Sequence, residues 1–167
     1  DAVDAPRPDR KEMMALDADG VARLLDATEG SQYREVFLTA LYTGFRRSEV
    51  LALHWTDVDL DRATVRVVAG LHRLAGKGLV LLPTKTARSR RQVMITQEVT
   101  NALRGIRGSQ LVSQMELGSA WQDSGFVFAK ADGRPLDPEK VTHAFTSIIR
   151  AASLTGVRLH DLRHTRA

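Results

Sequence analysis

Apolar residues fall at helical spacing in the first third of the chain. Val21, Leu24 and Leu25 share a face behind Leu16-Asp17-Ala18-Asp19, where Asp17 or Asp19 can cap the first turn of a helix. Val36, Phe37, Ala40 and Leu41 mark the buried side of a second helix from about Gln32 to Thr43. Gly44 is placed to end it in a left-handed turn. A short third helix follows from Arg46 or Arg47 to about Leu53, anchored by Val50 and Leu53. The period then changes. Trp55–Leu60 reads as a strand and Asp59–Arg62 as a turn, followed by a strand over Thr64–Leu71 with Val65 and Val67 on one face. Gly76 and Gly78 signal a further turn, and Leu79–Pro83 and Arg91–Thr96 bracket a basic tip over Thr84–Arg90. Helical spacing returns at Gln97, with Val99, Leu103 and Ile106 inward and an irregular extension toward Met115. Phe126-Val127-Phe128 is a short buried segment and Asp132-Gly133 a turn. Pro138 suits the first turn of a helix through about Ala152, with Val141, Phe145 and Ile148 or Ile149 inward. A last helix starts near His160.

These elements predict a mixed α/β fold, mostly helical, with a small three-stranded antiparallel sheet. Residues 1–12, polar and holding Pro6 and Pro8, read as a linker or frayed lead-in, and 13–167 as the folded part. The length of 167 residues suffices for one core. No apolar run reaches the ~20 residues of a membrane span, and no signal peptide is visible. With no cysteine in the chain, disulfides and thiolate metal sites are excluded.

Charge sharpens the picture. The net charge of +4 is unevenly spread: residues 1–61 carry 7 Lys and Arg against 13 Asp and Glu, a net of −6, and residues 62–167 carry 17 against 7, a net of +10. Arg outnumbers Lys 19 to 5. A basic half rich in guanidinium suits a polyanion, and surface solubility alone would also account for it.

Three segments can carry chemistry. In His160-Asp161-Leu162-Arg163-His164-Thr165, helical spacing sets His160, Arg163 and His164 on one face, where an anion would relieve their mutual repulsion. In Thr43-Gly44-Phe45-Arg46-Arg47-Ser48-Glu49, Gly44 frees Arg46 at a helix junction. Glu49, one turn on, can hold its guanidinium or a neighbouring His; a surface ion pair is the plainer reading of that pair. In Pro83-Thr84-Lys85-Thr86-Ala87-Arg88-Ser89-Arg90-Arg91, a Lys can reach a DNA groove or donate a proton, and the arginines suit nonspecific phosphate contact. A solubilising loop is the bland alternative.

Together the three, in this order, resemble the tyrosine recombinase family of the phage-integrase type, from about Leu16 to Ala167. The resemblance implies that fold and a DNA cutting-and-joining chemistry. Position by position, Arg46 and Arg163 match the two arginines that bind the scissile phosphate. Lys85 matches the lysine that protonates the leaving 5′ oxygen, and His160 the histidine that assists proton transfer. Glu49 matches the supporting acid, and His164 a further supporting position. Arg47, Arg88, Arg90 and Arg91 are expected DNA contacts.

The resemblance implies double-stranded DNA as partner, a tetramer on DNA for the full-length parent, and no metal, small-molecule cofactor or membrane. It also implies a cytoplasmic, nucleoid-associated location. The family's nucleophile is a tyrosine well after the HDLRHT segment. The chain has only Tyr33 and Tyr42, both before Gly44, so the expectation is a partial catalytic domain without its attacking residue. The alternatives are a non-enzymatic DNA-binding module derived from a recombinase and, less fitting to the motif order, a His/Arg phosphoryl-transfer enzyme.

Overall fold

The computed structural model describes residues 15–84 and 90–165. Helix α1 (Ala18–Ala27) starts where the Asp17 carboxylate accepts the Gly20 N–H. Helix α2 (Arg34–Thr43) begins two residues later than the pattern suggests and is the hub of the core. Val36, Phe37, Ala40 and Leu41 are buried, and the helix packs on α3 (Arg47–Leu51), α4 (Gln97–Leu117) and α6 (Leu162–Thr165). Gly44 ends it in the left-handed region, at φ 67°. Helix α5 (Pro138–Ala151), capped by Asp137, buries Val141, Phe145 and Ile149 against α1, α3 and the sheet region.

The β region departs from expectation. Trp55–Asp57 is a 3-10 turn, so strand β1 is only Val58–Asp59. The indole N–H of Trp55 donates to Gln110 at 2.7 Å and its ring lies under Arg107, which ties this segment to α4. The expected strand over Thr64–Leu71 breaks at Val68 into β2 (Thr64–Val67) and β3 (Ala69–Leu74). Val65 and Val67 alternate inward, but Gly70 and Leu71 are both buried, so the two-residue period slips at the break. Strand β2 pairs with β1 and with β5 (Arg91–Met94) in a three-stranded antiparallel sheet. Strand β3 turns back through Gly76 and pairs with β4 (Gly78–Pro83) in a separate two-stranded ribbon.

The strands on either side of the basic tip do not pair with each other. Its flanking strands, β4 and β5, belong to different sheets, and the segment connects the two. Helix α4 runs unbroken to Leu117. Its first turns bury Val99 and Leu103, while Leu111, Val112 and Met115 are exposed farther along. Among the described residues, no helix is long and apolar enough to cross a membrane.

The last and first segments close on each other. The Leu16 N–H donates to the Thr165 hydroxyl at 3.1 Å. The backbone at Gly44 lies close to that of Arg163: a Cβ on Gly44 would sit 3.6 Å from the Arg163 carbonyl oxygen. The left-handed turn at Gly44 thus sets the two arginine-bearing segments side by side.

Candidate functional site

Arg46 is the N-cap of α3, in extended conformation immediately after the Gly44 turn. Glu49 reaches back and accepts the Arg46 backbone N–H at 2.8 Å, fixing the chain's entrance into the helix. The same carboxylate takes an N–H from the Arg46 guanidinium at 2.9 Å. Arg91, on β5, supplies two more, at 2.9 and 3.2 Å. Its guanidinium also lies over the Phe45 ring, 5.1 Å from the centroid.

This is a surface pair in neither burial nor geometry. The Glu49 side chain is 5% exposed, and Arg46, Arg91 and the α3 backbone satisfy it together. Burial alone would push its carboxyl up. The hydrogen bonds from Arg91 and Arg46 and the Arg91 charge outweigh that and hold it below the ordinary carboxylate range.

Arg163 enters from the other end of the chain. Leu159–Asp161 forms a 3-10 turn and α6 starts only at Leu162, so His160 lies just before the helix rather than in it. The turn is fixed by Asp161, whose carboxylate accepts the Arg158 backbone N–H at 2.8 Å. Buried Leu162 anchors α6 and leaves Arg163 half-buried. The exposed imidazoles of His160 and His164 stand edge to face, 6.2 Å apart. Burial, then the charges of Arg46 and Arg91, lower the Arg163 pKa, with Glu49 partly offsetting them. Among the described residues no carboxylate is in ion-pair distance of Arg163. Several cations thus crowd one buried anion, an arrangement that favours a further, external anion. Two guanidinium forks beside an imidazole can hold a tetrahedral oxyanion and stabilise charge added to it.

A groove of about 680 Å³ runs past Arg46, Ser48, Glu49 and His72 to Pro83 and Thr84. Lys85 and Arg88, the sequence candidates beyond that end, lie outside the described residues. Arg90 is exposed. Arg91 and Arg47 are occupied in ways their sequence did not show: Arg91 grips Glu49, and Arg47 donates to the Thr142 hydroxyl on α5. His72 and Arg158, which no sequence motif marks, and Ser48, which lies in the Thr43–Glu49 segment without being singled out there, line the groove or its neighbour. Only the fold brings β3 and the 158–160 turn beside α3. Among the described residues, no group of three His, Asp or Glu side chains is placed to hold a metal.

The sequence model of the phage integrase family matches residues 14–167. The chain belongs to the phage integrase family. Among curated members, this integrase-family chain is 26% identical over 159 residues to a XerC-like tyrosine recombinase of Caldanaerobacter subterraneus, covering 88% of this chain and 40% of that one. It is 32% identical over 145 residues to the integrase of Staphylococcus phage L54a, covering 80% and 40%. The chain thus spans about two fifths of the length of these relatives.

Solved structures of integrases share the fold. A Tn1549 transposon integrase in complex with a circular intermediate DNA superposes with TM-score 0.76 at 20% identity, over 94% of this chain and 52% of that one. A lambda integrase tetramer bound to a Holliday junction gives TM-score 0.56 at 18% identity, over 96% and 44%. The helical fold with its small antiparallel sheet is therefore that of the tyrosine recombinase catalytic domain.

Proposed function

We propose that this chain is the phosphate-gripping part of a site-specific DNA recombinase, which cuts and rejoins duplex DNA through a phosphotyrosyl intermediate. The observation that carries the reading is the meeting of Arg46 and Arg163 around buried Glu49 and its partner Arg91.

Arg46 and Arg163 hold the non-bridging oxygens of the scissile phosphate and stabilise the charge that builds up on them. Glu49 and Arg91 position Arg46, because Glu49 binds both its backbone and its guanidinium. A tyrosine hydroxyl gives up its proton and its oxygen bonds to phosphorus as the bond from phosphorus to the 5′ oxygen breaks. Lys85 delivers a proton to that leaving oxygen, and His160 assists proton transfer at the phosphate. Reversal by a 5′ hydroxyl rejoins the strand, since the phosphotyrosyl link conserves the bond energy. His164 supports His160, and Arg47, Arg88 and Arg90 contact the DNA backbone. The parent protein works as a tetramer on DNA, associated with the nucleoid in the cytoplasm, with no small-molecule cofactor.

The attacking tyrosine is neither Tyr33 nor Tyr42. Tyr33 packs its ring against Phe37, 6.3 Å between centroids, and both tyrosines are partly buried against the core. That observation also favours a second reading, in which the chain is a DNA-binding module derived from a recombinase and never cuts. Both readings expect residues 13–167 to bind duplex DNA without becoming attached to it.

The test is incubation of the chain with nicked duplex DNA, followed by denaturing electrophoresis and a binding titration at several salt concentrations. Binding that weakens steeply with salt, with no covalent adduct, is the expected result. Affinity independent of salt would overturn the DNA-binding role. A covalent adduct on this chain would overturn the exclusion of Tyr33 and Tyr42.

A further inference from the structure

Arg46 also lines a second cavity, of about 360 Å³, together with Arg47, Ser48, His72, Arg158 and His160. Among the described residues, its lining includes three arginines and two histidines and no Asp or Glu. The acids nearby are committed elsewhere. Asp161 accepts the backbone N–H of Arg158, and Asp137 and Glu139 at the start of α5 pair with Arg73. Among the described residues, neither Arg47 nor Arg158 has a carboxylate within ion-pair distance.

Two of these side chains are placed by neutral groups. The Thr142 hydroxyl, which donates its own proton to the Pro138 carbonyl, accepts from Arg47. His72 folds over Gly70: a Cβ there would meet its Nε2 at 2.8 Å and the Ser48 side chain at 3.2 Å. Gly70 is therefore the space in which the half-buried imidazole sits beside Ser48.

We propose that this cavity is a second phosphate subsite, in which Arg47, Arg158 and His72 hold a DNA phosphodiester neighbouring the one gripped by Arg46 and Arg163. The assignment rests on the DNA-binding reading above. Two anion positions that share Arg46 suit a ligand with phosphates repeated along a strand, and a grip on two of them fixes the register of the scissile one.

The test is fluorescence anisotropy of this chain on duplex DNA in which single phosphates flanking the target are replaced by neutral methylphosphonates. One flanking replacement is expected to weaken binding several-fold. A His72→Ala/Arg158→Ala variant is expected to bind unmodified DNA correspondingly weakly and to be indifferent to that replacement. Its slope of log affinity against log salt is expected to fall by about one for each phosphate it no longer neutralises. Gly70→Ala, which displaces the imidazole without removing it, is expected to reproduce His72→Ala. If the double variant stays as sensitive as the parent to the same replacement, the subsite is refuted. It is also refuted if no flanking phosphate matters while Arg46→Ala still weakens binding, and the earlier reading then survives. Absence of salt-dependent DNA binding by the unaltered chain overturns both.

Discussion

Among the described residues, two regions gather arginines, and one of them has the makings of a grip. A cavity of about 590 Å³ beside β1 and α4 is lined by Arg62, Arg66, Arg104 and Arg107. Each already has a partner: Asp59 for Arg62, Asp57 for Arg66, the Leu60 carbonyl for Arg104 and the Trp55 ring for Arg107. At the Gly44 junction, Arg46, Arg91 and Arg163 crowd around the single carboxylate of Glu49, and Arg47 and Arg158 lie nearby. The number of arginines does not locate an anion site. What locates it is positive charge left over after the protein's own acids and carbonyls have been assigned.

Removing the one acid at the junction tests this contrast most severely. Glu49→Ala removes the buried carboxylate that binds Arg46 and Arg91 and caps α3, and is expected to cost roughly 3 kcal/mol of stability, measured by denaturant unfolding. Glu49→Gln retains the shape and should cost less. Acid tests the carboxylate's charge directly. Because the folded-state pKa of Glu49 lies below its ordinary value of 4.5, its stabilisation is complete above that value and fades as pH falls through the lower one. The stability gap between the parent and Glu49→Gln should therefore shrink in acid, and a gap constant with pH would contradict the direction given for Glu49.

Next in size is the grip itself. Arg163→Ala is expected to reduce duplex affinity about tenfold, the scale of one or two charge-assisted hydrogen bonds. Affinity unchanged by titration would exclude Arg163 from phosphate contact. Gly44→Ala should lower stability by about 1 kcal/mol in denaturant unfolding, because φ 67° strains any residue with a Cβ. The smallest effect is expected on the other face. Arg66→Ala and Arg104→Ala should leave DNA affinity within about twofold, since exposed pairs of this kind contribute little and leave no charge to spare. A tenfold loss there would dissolve the distinction between the two regions.

Local chemistry explains which features the sequence discloses. The apolar faces of α1, α2 and α5, the Asp17 cap, Pro138 at a helix start and the left-handed Gly44 each depend on a few adjacent residues. All are legible directly. The order of the Arg46 and His160–Arg163 segments points to the family for the same reason. The break at Val68 is not legible, because Thr64–Val68 has strand composition and only pairing partners decide where the chain changes sheets. Arg91 is hidden likewise. Its neighbours mark it as one more basic residue, yet the register that pairs it with Val67 carries it to Glu49. The contribution of β3 is invisible too, since His72 reaches the groove through the folding of the ribbon rather than through any motif.

The backbone contact between Gly44 and Arg163 has a thermodynamic consequence. The two halves of the grip are far apart in sequence, so an unfolded chain has no site for the ligand to recognise. On the proposed reading, DNA acts as a folding ligand by mass action, adding about 2.7 kcal/mol at a free concentration one hundred times its dissociation constant. The melting temperature of this domain thus becomes a gauge of what it is holding.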